Sequence, residues 1–301
     1  MFANTQKALV IGALASMMSN KPLIWYLHDL ITKEHLGWLN RRLNVLLTNF
    51  CVNGVIANSQ ASKQAFLQNG GRCKHLDVVP NGIAVHPFTE VRQEQLVDLK
   101  AQLKLSDAPI ISSFSRLVSW KGQYVLLHAL KYLPEVQVLI VGDALFDGEI
   151  VYADALKKMS RDLGVADRVR FLGFRSDIPA LMKLSDIIVH TSVAPEPFGR
   201  VIVEAMMAKK PVIATRGGGV NEIVDHMETG VLISPGDPTQ LAEAIQMLLQ
   251  QPQMASKIAK KGYEKAVRHF SVPAMLSAVE KMIGTCVAPR EMVASEFALS
   301  V

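Results

Sequence analysis

The chain is poor in the features that mark specialised protein classes. Its three cysteines, Cys51, Cys73 and Cys286, are an odd number with no C-x-x-C spacing. That excludes a disulfide framework or a zinc ribbon and points to a reducing compartment. No uninterrupted apolar run reaches the length of a membrane-spanning helix. The nearest stretch, Ala8 to Met18 after Lys7, has a signal-peptide flavour. It also reads as a buried helix capped by Asn4 or Thr5 that leads through Lys21-Pro22 into a strand. There is no Asp-x-Asp pair and no His/Cys cluster at ligand spacing, so no metal is expected. A G-x-G-x-x-G fingerprint after a first strand is also missing, which argues against a dinucleotide-dependent dehydrogenase. Neither repeats nor low-complexity tracts occur. No nucleic-acid partner is expected either, because RNP-like and basic-region patterns are absent.

What is present is a 301-residue chain, 50% hydrophobic and 20% charged, long enough for one large or two modest domains. The net charge of +5 is concentrated in residues 1–88, where eight Lys and Arg face three acids. A basic surface there would attract an anionic substrate or an anionic membrane. The helical stretch Leu36 to Phe50 carries Trp38, Arg41 and Arg42 beside several leucines. It fits either a packed helix or a contact with the membrane surface.

From Pro109 onward, short apolar runs alternate with helical stretches. The strands are read at 109–115, 136–142, 168–173, 186–192, 211–219 and 230–234. Runs that are apolar throughout predict a parallel sheet covered on both faces, so residues 89–271 are expected to form a doubly wound α/β domain. Residues 1–88 show only two or three strands (22–29, 54–59 and 77–83) and read as a partial domain of the same kind. Residues 272–301 are expected to form an amphipathic helix and tail that return to the N-terminal part.

Ligands of open α/β sheets lie beyond the carboxyl ends of the strands. The residues found there are Arg116 and Lys121, Gly142, Phe174 and Arg175, Glu196 to Gly199, and Arg216 to Gly219, with Glu204 farther along the following helix. Two cations, two carboxylates and glycine-flanked helix starts suit a nucleoside diphosphate bearing a sugar. Gly199 and Gly219 are expected to let the backbone approach that ligand closely.

These residues also carry a resemblance. EPFGRVIVEAM (196–206) resembles the E-x7-E motif of retaining glycosyltransferases of family 4, and SRLVSWKG (115–122) resembles their R-x4-K segment. VLIVGD, RVRFLGF, PVIATRGGGVNEIV, GVLISPGD and, earlier, VPNGI follow the family's order. The resemblance implies the GT-B fold, with two facing Rossmann-like domains, and transfer of a hexosyl-type sugar from a nucleotide-sugar donor with retention of configuration. It implies that Arg116 and Lys121 bind the diphosphate, with Gly142 beside them, and that Glu204 holds the ribose. Glu196 and the N–H groups of Phe198 and Gly199 would hold the donor sugar, and Phe174 and Arg175 the base. His28 would face the transferred sugar. No cofactor is implied. A lipid-linked or cell-envelope acceptor and a cytoplasmic site at the inner face of the membrane are expected.

Two departures stand out. The family's first strand and glycine-rich loop have no counterpart before Asn4, so the chain is expected to lack the start of the N-terminal domain. A non-catalytic module that still binds the nucleotide sugar is therefore an alternative. Lys209-Lys210 also stands where a glycine is common.

Overall fold

The computed structural model describes residues 1–287 except Glu34. Its strands are β1 (Phe2–Ala3), β2 (Ile24–Leu27), β3 (Gly54–Ala57), β4 (His75–Val78), β5 (Ile110–Phe114), β6 (Gln137–Val141), β7 (Val169–Gly173), β8 (Ile187–His190), β9 (Val212–Thr215) and β10 (Val231–Ile233). They form two all-parallel sheets, ordered β1-β2-β3-β4 and β10-β9-β8-β5-β6-β7. The chain divides into two units, Met1–Pro80 together with the helix from Pro273, and Asn81–Val272.

In the second unit, alternation along each strand sorts side chains onto opposite faces. Ile111, Val138, Ile140, Val189 and Ile213 pack on one side with the helices Gln123–Ala129 and Pro238–Gln250. Ile110, Leu139, Val141, Ile188 and Val212 pack on the other with Ile202, Val203 and Met206 of the helix Arg200–Met207. Each buried Leu or Ile contributes roughly 1.5–3 kcal/mol, so two dry layers fix the register. The central strands are buried throughout because both faces are covered.

The first unit follows the same logic with fewer strands. Trp25, Leu27 and Val55 face one layer, and Ile24, Tyr26 and Ile56 the other. Met282 of the C-terminal helix Val272–Val287 closes the second layer, with Met275, Ala278 and Val279 against it. Thr5 caps the first helix, Gln6–Ser19, by accepting a hydrogen bond from the Ala8 N–H at 3.1 Å.

Several expectations need correction. The first sheet has four strands, because Phe2–Ala3 pairs with β2 before Asn4. A two-residue edge strand carries no readable alternation. The strand expected at 77–83 is β4, His75–Val78; Pro80 has no N–H to continue the ladder. The unit boundary falls at Pro80–Asn81 rather than residue 88. Beyond the short turn of helix His86–Thr89, two longer helices went unforeseen. Gln60–Gln68 is capped by Ser59, and Pro252–His269 buries only Ala, Ile and Gly along a mostly polar surface. Residues 288–301 of the expected tail lie outside the described residues.

Candidate functional site

Strand order in the second sheet reverses between β5 and β8. At such a switch point the following loops diverge and leave a crevice. The loops after β5 and β8 are tied together there: Thr191 Oγ1 donates to the Lys121 carbonyl at 3.0 Å, and the Val193 N–H to the Trp120 carbonyl at 2.8 Å. That tie delivers Lys121 to Glu196, which form a salt bridge.

Glu196 is 5% exposed. Its Oε1 accepts from Lys121 Nζ, from Ser192 Oγ at 2.6 Å, and lies 3.0 Å from His190 Nε2. Thr215 Oγ1 donates to the Ser192 carbonyl at 2.7 Å and so braces the loop from β9. Burial alone would raise the carboxyl's proton affinity. The hydrogen bond and electrostatic attraction of His190, and then Lys121, reverse this and hold it well below the usual carboxylate range. The result is a fixed negative charge, locked in place before any ligand arrives.

Glu204 is different. Its nearest cation is Arg200, with Nη2 3.6 Å from Oε1, and burial raises its proton affinity against that weak pull. Arg116 uses Nη1 to pair with Glu149 at 3.0 Å; its remaining N–H groups make no hydrogen bond among the described residues. The Arg116 loop is held from beneath by buried Gln123, which donates to Ser115 Oγ and the Arg116 carbonyl, both at 2.8 Å. Tyr152 completes the brace by donating to Gln123 Oε1 at 3.1 Å. Gly142 lies under the same loop at φ 133°, where a Cβ would sit 1.9 Å from the Ser115 carbonyl oxygen. No other residue fits that contact.

The remaining expected residues are also placed. Phe174 follows β7 with its ring 80% exposed. Arg175 grips Asp177 through Nε and Nη2 at 2.8 and 2.6 Å. Phe198 is buried against Phe270, yet its N–H and that of Gly199 find no acceptor among the described residues. Gly219 was expected beside a ligand. Its N–H instead donates to the Glu196 carbonyl at 2.9 Å, and Gly218, at φ 59°, lies so close that a Cβ would sit 2.0 Å from that same oxygen. The glycine run packs on the Glu196 loop because only residues without side chains fit there. His28 belongs to the first unit, stacked on Tyr26 at 4.2 Å between ring centres.

The structure therefore gathers Lys121 and Glu196 directly and carries Arg116, Gly142, Phe174, Phe198, Gly199 and Glu204 on the carboxyl-end loops and following helix of one sheet. Sequence reasoning missed His190, Ser192, Thr215, Gln123 and Glu149. A signal existed in DIIVHTS, where an apolar strand ends in three polar residues. Among the described residues no cluster of three or more His, Cys, Asp or Glu side chains is gathered as a metal site would need.

Parallel α/β units with a charged cluster at the switch point of one sheet are those of the GT-B fold. The chain belongs to the glycosyl transferases group 1 family, whose model matches residues 97–265; that of Glycosyltransferase Family 4 matches residues 2–86. The crystal structure of Anabaena Alr3699/HepE in complex with UDP and glucose superposes with a TM-score of 0.91 at 42% identity, covering 94% of this chain and 77% of that one. The same protein with UDP-glucose gives 0.90. The lipopolysaccharide core biosynthesis glycosyltransferase LpsE of Rhizobium meliloti is 33% identical over 180 residues, 60% of this chain and 51% of LpsE. LpsD of the same organism is 27% identical over 257 residues, 85% of this chain and 68% of LpsD. The chain thus spans about half the length of LpsE and about two thirds of LpsD. Among the described residues no helix is long and apolar enough to cross a membrane.

Proposed function

We propose that this chain transfers a hexosyl-type sugar from a nucleoside-diphosphate sugar to an acceptor hydroxyl with retention of configuration. The observation that carries the reading is the switch-point cluster in which Lys121, His190 and Ser192 converge on the buried carboxylate of Glu196. HepE, 42% identical, is held with UDP and with UDP-glucose, so uridine donors are the first to test.

The costly event in such a reaction is departure of the nucleoside diphosphate as negative charge builds on its distal phosphate. Arg116, Lys121 and the open N–H groups of Phe198 and Gly199 supply donors for that charge, set in advance by the surrounding hydrogen bonds. Glu196 orients the sugar and Glu204 accepts from the ribose hydroxyls. Phe174 offers a flat apolar face to the base, with Arg175 next to it. His28 would act on the transferred sugar. None of these roles calls for a cofactor or a metal.

LpsE and LpsD carry names from lipopolysaccharide core biosynthesis, which supports a lipid-linked or cell-envelope acceptor. On the helix Trp38–Cys51, the residues Trp38, Leu39, Leu46 and Phe50 are exposed beside Arg41 and Arg42. That combination suits peripheral contact with an anionic leaflet on the cytoplasmic side. The test is incubation of the whole chain with UDP-glucose and a lipid-linked saccharide acceptor, following the anomeric configuration of the product by NMR. An α-linked product supports the reading. A β-linked product removes retention. Donor binding without transfer to any acceptor favours the non-catalytic module.

A further inference from the structure

The helix Arg200–Met207 ends in a turn that carries Lys209-Lys210 toward β9. Lys209 adopts a left-handed backbone at φ 58°. Its N–H donates to the Met206 carbonyl at 2.9 Å and that of Lys210 to the Ala205 carbonyl at 3.1 Å. Such helix endings favour glycine, which has no Cβ to clash. Here a long cationic side chain occupies the strained position, and strain of this kind tends to sit where a site needs it.

Lys209 Nζ lies 4.5 Å from the centre of the Tyr263 ring. Both line a cavity of about 550 Å³ with Lys210, Lys260, Asp186 and Glu264. Lys183 adjoins it closely enough to repel Lys209 and Lys210. None of these four ammonium groups makes an ion pair or hydrogen bond among the described residues. Burial disfavours the charged form of Lys210, opposed by Asp186 and reinforced by Lys183. Burial and then Lys209 act in the same direction on Lys183. Lys183 and Lys210 are thus partly desolvated cations that repel one another, and the exposed Lys209 and Lys260 add two more beside the same open space. Asp186 precedes β8 and Pro211 precedes β9, so this space lies at the amino ends of the strands whose carboxyl ends carry His190 and Thr215.

We propose that this cavity binds a small phosphate ester of a polyol, with the phosphate held by Lys209, Lys210 and Lys260 and the hydroxyls by Asp186 and Glu264. The charge balance fits. Lys183, Lys209, Lys210 and Lys260 exceed Asp186 and Glu264 by two positive charges, and a phosphate monoester carries about −1.5 to −2 near neutrality. The volume also suits a monosaccharide-sized ligand. The inference stands apart from the donor reading, since it uses none of the switch-point residues.

The experiment titrates glucose 6-phosphate into the whole chain by calorimetry and thermal unfolding, with and without UDP. Inorganic phosphate and glucose are titrated as separate arms. Saturable binding of glucose 6-phosphate is expected, weaker for inorganic phosphate and absent for glucose. Lys210→Met lowers the affinity by about tenfold or more. Lys209→Gly lowers it similarly while raising the melting temperature of the ligand-free protein, because glycine relieves the left-handed turn. A pair of lysines with only a structural role would not give that opposition. UDP titrated alone reads the donor site, so failure of the donor reading is seen separately from failure of phosphate-ester binding. No saturable binding to the wild type, or binding unchanged in both lysine variants, overturns the proposal. Equal affinity for inorganic phosphate and glucose 6-phosphate removes the part assigned to the carboxylates.

Discussion

The loop that carries Glu196 and the helix that carries Glu204 meet at one glycine, yet the two carboxylates are tuned in opposite ways. Glu196 is encircled by Lys121, His190 and Ser192, and its proton affinity is depressed despite burial. Glu204 is only half-buried, has only the distant Arg200, and its proton affinity is raised. The first is finished chemistry: its charge belongs to the folded protein. The second is incomplete, and donors from outside would improve it. Identical side chains thus divide into a fixed element and a receptive one through what the neighbouring strands bring to them.

The sharpest way to break this contrast is Glu196→Ala. Removing one partner of a buried pair strands Lys121 beside His190, and unfolding of the second unit in urea is expected to show a loss of about 3 kcal/mol, at the low end for such deletions. The same carboxylate sets an acid limit. Its folded proton affinity lies below the ordinary value of 4.5, so its contribution is fully present above that pH and disappears as pH falls toward the depressed folded value. Stability profiles of the wild type and Glu196→Gln should therefore converge in acid. Parallel profiles would show that the pair contributes nothing.

Glu204→Ala is expected to leave urea stability nearly unchanged, because its carboxylate is under-partnered to begin with. Affinity for UDP should fall about tenfold or more, the scale of a hydrogen bond to a charged group. A large loss of stability with unaltered UDP affinity would invert the contrast. The smallest effect is expected from Phe174→Ala. Its exposed ring supports no core, so folding is unaffected and UDP binding weakens only by about 1 kcal/mol, the scale of one aromatic contact. Calorimetry on the two variants ranks them, and the opposite order would move the nucleotide away from Glu204.

The sequence carried a good deal of this, for a definite reason. Strands β5, β6, β8, β9 and β10 are buried along their length, so their runs stand out between polar helices, and the carboxyl ends of the sheet point to Arg116, Lys121, Glu196 and Glu204. Phe2–Ala3 was hidden because an edge strand of two residues repeats nothing. His190 was hidden because it closes an otherwise apolar strand, where position alone reads as core. That Lys121 pairs directly with Glu196, and does not merely share its sheet edge, was not legible. Lys121 lies 75 positions away and is brought there by the crossover that makes the switch point. The triple glycine was visible, but whether it cradles a ligand or the backbone at Glu196 depends on packing that no local pattern encodes.

The left-handed turn at Lys209 also bears on attempts to engineer a hardier version of this domain. One way to relax a non-glycine residue at positive φ is to insert glycine, judged on heat resistance alone. Applied at this turn, that screen would reward the variant that discards the cation, and the affinity it lost would pass unnoticed. Selection for robustness and selection for ligand response pull this one position in opposite directions.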